Sequence, residues 1–141
     1  MSVNENLGDL VSDDKNVFRA FAVPGFRDRK KKTVNDYAYY RRVSDKDGIS
    51  VGLSPEHAVS GLGVNSGYCQ LPVKPVHELP HGIKVRLDTK IDGHAFICDV
   101  PFITSDDDAE REKAILIAGE LARLSSPVVY DHYPAPSGPG Q

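Results

Sequence analysis

Five side chains of this 141-residue chain combine types and placing that suit the capture of an anion: Arg19, Arg41, Arg42, Ser50 and Ser54. A guanidinium is planar and offers paired N–H donors to a phosphate or carboxylate. Arg19 stands in FRAF (18–21), and Arg41 and Arg42 stand in YYRRV (39–43). Such aromatic and apolar neighbours suit partly buried arginine heads, available either to a ligand or to one of the chain's own acids. The serines belong to DKDGISVGLSPEHAV (45–59). Ser50, Gly52 and Ser54 form a strand face without bulk, which admits either a ligand or a packed helix close to the backbone. Ser54-Pro55-Glu56 is a helix start, with serine as the cap, proline at the first helical position and an acid in the first turn. The unpaired N–H groups of a helix start favour an anion. A concave surface touching Ser50 or Ser54, with Arg19, Arg41 or Arg42 at its rim, is therefore the expected ligand site.

Other chemistry-bearing groups read as structural. His77-Glu78-Leu79-Pro80-His81 matches H-E-x-x-H by letters. That motif needs a regular helix to bring both histidines to one metal, and Pro80 interrupts it. No metal is expected there. Asp106–Asp108 reads as a helix start, His94 as a strand-end histidine held by one hydrogen bond, and His57 as a surface residue. The chain has no nucleophile elbow, P-loop or dinucleotide fingerprint, and no catalytic residue is assigned.

The elements that must position these residues follow from periodicity. Val17–Ala22 reads as a strand, RDRKKK (27–32) as an exposed loop, and 34–43 as a turn followed by a short strand ending at Val43. Asp47-Gly48 is a turn, Ile49–Leu53 a strand, and Ser54 opens a short helix closed by Gly61. Gly67–Val73 is a strand kept near a sheet edge by Pro72, and Pro75–Leu79 a single turn. Ile83–Leu87 and His94–Val100 flank DTKIDG as a hairpin. Ala114, Ile117, Ala118, Leu121 and Leu124 predict a helix from about Asp106 to Leu124, capped by Thr104 or Ser105. The expected fold class is α+β: a small mixed, mostly antiparallel sheet, one long C-terminal helix and a short helix after the second or third strand. The domain spans 15–130, between a flexible acidic arm (1–14) and a flexible Pro/Gly tail (131–141).

Forty per cent hydrophobic residues are enough for a real core. No apolar run approaches the ~20 residues of a membrane helix, and the polar, acidic N-terminus lacks a signal-peptide pattern. A cytoplasmic protein with Cys69 and Cys98 as buried thiols is expected. The net charge of −3 is uneven. Between Val17 and Val43 there are eight basic residues and two acids, so that stretch carries +6 and the remainder −9. This asymmetry points to an anionic small molecule or a protein partner, or to nucleic acid through Arg27, Arg29, Lys30, Lys31 and Lys32.

The order of pieces resembles small bacterial α+β domains: an arginine-bearing first strand, GISVGLSPEHAV, a G-x-C-x-L strand, VHEL and a GHAFI strand before a C-terminal helix. The first strand with the G-x-S-x-x-x-S-P-E segment is also similar to the ADP-ribosyltransferase-like superfamily. That resemblance implies NAD as cofactor, with Arg19 or Arg41 and Ser50 at the site. A late glutamate completes that family's pattern, and the HAFICDV strand supplies only Asp99. The expectation is thus a binding or interaction module for an anionic ligand or acidic partner, without a cofactor. A small NAD-using transferase and a protein–protein adaptor are the alternatives.

Overall fold

The computed structural model describes residues 6–21, 27–28, 33–59 and 67–126. Six strands make one antiparallel sheet: β1 (Leu7–Leu10), β2 (Asn16–Phe21), β5 (Ile49–Gly52), β6 (Gly67–Pro72), β7 (Lys84–Asp88) and β8 (His94–Cys98). Their spatial order is β1-β7-β8-β5-β2-β6. A separate two-residue ladder joins β3 (Arg27–Asp28) to β4 (Thr33–Val34). The helices are α1 (Pro55–Val59), α2 (Val73–Glu78) and α3 (Asp108–Leu124). The fold is α+β, with the long C-terminal helix at the place its apolar period predicts.

Register decides what faces what. Ile49 lies opposite Ile97, which lies opposite Val85, and Val17 lies opposite Leu71; all five are fully buried on one face of the sheet. That face carries α3 and a 3-10 turn at Asp36–Tyr39. The Tyr39 hydroxyl bonds Cys69 Sγ of β6 (3.3 Å) and Ser125 Oγ at the end of α3 (2.7 Å). Ser125 in turn donates to the Leu121 carbonyl (2.8 Å), which ties the last turn of α3 to the sheet through one buried phenol. The opposite face carries α1, because a Cβ built on Gly52 would lie 2.4 Å from the Ala58 nitrogen. On that face Phe18 meets Tyr68 edge-on, and His94 meets Phe96.

The hairpin of β7 and β8 forms as its alternation predicts, with β8 between β7 and β5. β6 is an edge strand, which suits Pro72. Three expectations need correction. Residues 1–14 are not wholly a flexible arm: Leu7–Leu10 pairs with β7, and Val11 is 5% exposed within the core. The signal is weak because the strand is only four residues long, contains Gly8, and leaves Leu10 46% exposed. Residues 36–39 form a 3-10 turn capped by the Asn35 side chain, and no strand runs to Val43. The pull of buried Tyr39 into the core outweighs the strand preference of Tyr37, Tyr39 and Tyr40. α3 is capped by Asp107, whose carboxylate accepts from Ala109 N–H (2.9 Å) and Glu110 N–H (3.2 Å), not by Thr104 or Ser105. Gly61, Arg29–Lys32 and the tail at 131–141 lie outside the described residues. No helix among the described residues is long and apolar enough to cross a membrane.

Candidate functional site

The five residues expected at an anion site do not bring their side chains to one face of the sheet. Arg19 pairs with Cys69, and its neighbour Phe18 pairs with Gly52, so the Arg19 side chain lies on the α3 face. Ser50 pairs with Phe96, and its side chain lies on the α1 face. The Arg19 head is tied to main chain: Nε donates to the Ala38 carbonyl and an Nη to the Ser50 carbonyl, both at 2.8 Å. Burial pulls its pKa down, while the nearby Tyr39, Asp45 and Cys69 push it up. Arg42 donates to the Tyr40 carbonyl (3.3 Å), and its own N–H meets Asp45 (2.9 Å). Ser54 acts as the cap of α1. Its Oγ accepts the His57 N–H (3.1 Å) and bonds His57 Nδ1 (2.7 Å). The N–H group that an anion would need is thus taken by the cap, and Gly52 is a packing residue under α1.

The remaining histidines also have definite employment. His77 Nε2 accepts the Val85 N–H (3.0 Å), so its Nδ1 carries the proton toward Asp13 (2.8 Å). β1 ends at Leu10; Val11 N–H still meets Val85 O (2.8 Å), and His77 takes the Val85 N–H beyond it. His81 turns to Glu120 of α3 instead (3.1 Å). His94 Nδ1 bonds Asp88 (2.7 Å). Burial pushes the Asp88 carboxyl upward, but the Lys90 and Ile91 N–H groups and His94 outweigh it and leave its pKa lowered. Among the described residues no three His, Cys, Asp or Glu are grouped to hold a metal. Burial raises the pKa of both thiols, Cys98 to about 11, so neither is a nucleophilic thiolate near neutral pH.

Arg41 leads to a different place. Its Nε donates to Asp45 O (2.9 Å), and its two terminal nitrogens donate to Val100 O and Lys46 O (2.8 Å each). Its Cζ lies over the Phe102 ring, 3.9 Å from the ring centre. The chain reaches this position because Asp99, just past β8, has φ 68°, a left-handed conformation that Asp tolerates better than most residues. That turn aims the Val100 carbonyl at Arg41, and Ile103 N–H closes the arrangement on Arg41 O (2.8 Å). The result is a groove. One hollow of about 390 Å3 has Arg41, Asp99, Phe102, Ser105, Glu110 and Lys113 in its walls. A second of about 310 Å3 shares Phe102 and Ser105 with it and adds Val43, Thr104 and Asp106. Val43 is 68% exposed at the rim.

Of the residues in this groove, the sequence pointed to Arg41 alone as a ligand-site residue, for an anion. Val43, Phe102 and Lys113 carry no periodic signal, because they come from a turn, a strand-to-helix connection and the exposed side of α3. The one available hint was Phe102 in PFIT, an aromatic outside any regular element. No family model, no curated protein and no solved structure matches this chain.

Proposed function

We propose that this domain is an interaction module that receives an extended segment of a partner protein in the groove floored by Phe102. The observation that carries the reading is an aromatic ring with the head of a three-bonded arginine over it, beside an aliphatic side chain left two-thirds in solvent. Pre-set grooves of this kind bind without a large ordering cost. In the larger hollow, Arg41 and Lys113 are balanced by Asp99 and Glu110, and Asp106 adds an acid next door. Such a lining does not select acids. Recognition falls to an apolar side chain of the partner set on Phe102 and Val43, with its flanking peptide groups meeting the mixed charges. Full burial of one aliphatic side chain contributes roughly 1.5–3 kcal/mol, which makes a short segment a weak, exchangeable ligand.

The test is selection of random displayed peptides on the intact domain, followed by counter-selection on Val43→Asp. Val43 is exposed, so the change should leave folding intact. Peptides that carry an apolar anchor should be enriched and should lose about ten-fold or more in affinity on the variant, the effect of removing roughly 1.4 kcal/mol. No enrichment, or equal binding to both proteins, would contradict the reading.

A further inference from the structure

A cavity of about 510 Å3, larger than either hollow of the groove, lies between the Asp9–Asn16 stretch and the ends of β5 and β7. β7, β8 and β5 separate β1 from β2 in the sheet, so residues 11–15 must carry the chain from one to the other. The cavity lies along that passage. Its walls are the aliphatic side chains of Leu10, Val11, Leu53 and Leu87. Asp9, Ser12, Lys15 and Asn16 edge it.

The passage is pinned by main-chain bonds. Val11 N–H donates to Val85 O (2.8 Å), Lys15 N–H to Ser12 O (3.0 Å), and Val73 N–H to Lys15 O (3.1 Å). The wall at Leu53 is held in the same way, by its N–H on Gly93 O (2.8 Å). The cavity is therefore preformed, with the size and aliphatic lining of a small-molecule site (about 300–1,000 Å3). Leu10 keeps nearly half its surface in water at the edge, apolar surface that a hydrocarbon would cover.

The polar edge decides the class of ligand. Its charged members are one acid, Asp9, and one base, Lys15, both exposed. Their charges cancel, so the edge favours neither sign. An ionised ligand would still lose water against the aliphatic walls, a cost that no net charge offsets. The Ser12 hydroxyl is already bonded to the Asp14 carboxylate. Asn16 is half-buried, and its carboxamide makes no side-chain hydrogen bond among the described residues. A carboxamide offers both a donor and an acceptor, which suits an uncharged hydrogen-bonding head. We propose that this cavity binds an uncharged amphiphile, a short aliphatic chain with an alcohol-type head, the chain on Leu10, Leu53 and Leu87 and the head on the Asn16 carboxamide.

The experiment titrates the intact protein with hexanol, hexylamine, hexanoate and benzene, each to ~10 mM, the range of weak single-site binding, and reads amide chemical shifts. Hexanol should move the amides of Leu10–Ser12, Asn16, Leu53 and Leu87. Hexylamine and hexanoate, charged at neutral pH, should both bind about five-fold or more weakly. Asn16→Ala should weaken hexanol about two- to ten-fold, the effect of one hydrogen bond, and leave benzene, which has no such head, unchanged. Leu10→Ser, a substitution at an exposed position, should weaken both. Either ion binding as tightly as hexanol, an unchanged hexanol affinity in Asn16→Ala, or no shifts at these amides with hexanol would each overturn the proposal. None of these outcomes bears on the Phe102 groove, whose residues lie elsewhere.

Discussion

Replacing His77 with alanine tests whether that histidine takes the Val85 N–H beyond the end of β1. The imidazole is bonded at both nitrogens, to Val85 N–H at 3.0 Å and Asp13 at 2.8 Å, and its side chain is 13% exposed. Val85 itself is fully buried. Alanine would leave a buried backbone donor without a partner, which costs about 1–3 kcal/mol. The Asp13 side chain is 59% exposed, so its share is ~0–1 kcal/mol. A loss of roughly 2–3 kcal/mol follows. For a domain of this size that lowers Tm by about 6–15 °C. Urea unfolding gives the free energy, and amide exchange reads the Val85 N–H directly, which should lose its protection ahead of its neighbours. His81→Ala, which removes a single contact with Glu120, should cost ~0.5–1 kcal/mol. A His77→Ala protein within ~0.5 kcal/mol of the parent, with Val85 still protected, would show that the histidine does not carry this hydrogen bond.

Arg19→Met should destabilise the domain by about 2–4 kcal/mol in urea unfolding, because two buried carbonyls lose a charged donor; a neutral change would mean the head is not structural. Gly52→Ala should cost about 1–3 kcal/mol by pushing α1 off the sheet, and an unchanged Tm would show that α1 does not pack there. Acid should remove the contribution of Asp88. Its folded pKa lies below the unfolded value, so its stabilisation is complete above the ordinary carboxylate range near ~3.9 and fades as pH falls through the lower folded value. Urea midpoints between about pH 5 and pH 2.5 should fall less steeply in Asp88→Asn than in the parent, and parallel curves would exclude Asp88 as a source of the slope.

The elements with sustained periodicity were legible in the sequence. The β7–β8 hairpin follows from alternation around DTKIDG, and α3 follows from Ala114, Ile117, Ala118 and Leu121 on one side. The strand and helix start of 49–59 were equally plain, since Gly48, Ser54 and Pro55 each act locally. What sequence could not supply was the destination of long side chains. Arg41 is committed to carbonyls at positions 45, 46 and 100, a meeting that depends on the whole sheet order. Arg19 and Ser50 look adjacent in a list of strand residues, yet a register fixed by Phe18 and Gly52 sends them to opposite faces. β1 was missed for the related reason that a four-residue edge strand draws its stability from its partner.

Amide chemical-shift mapping of a selected peptide on the intact domain tests the interaction reading most directly. The shifts should gather at Val43, Asp99–Ser105 and Lys113, and Val43→Asp should reduce them sharply at the same peptide concentration. Shifts gathered at another surface, with Val43 and Phe102 unmoved, would contradict it.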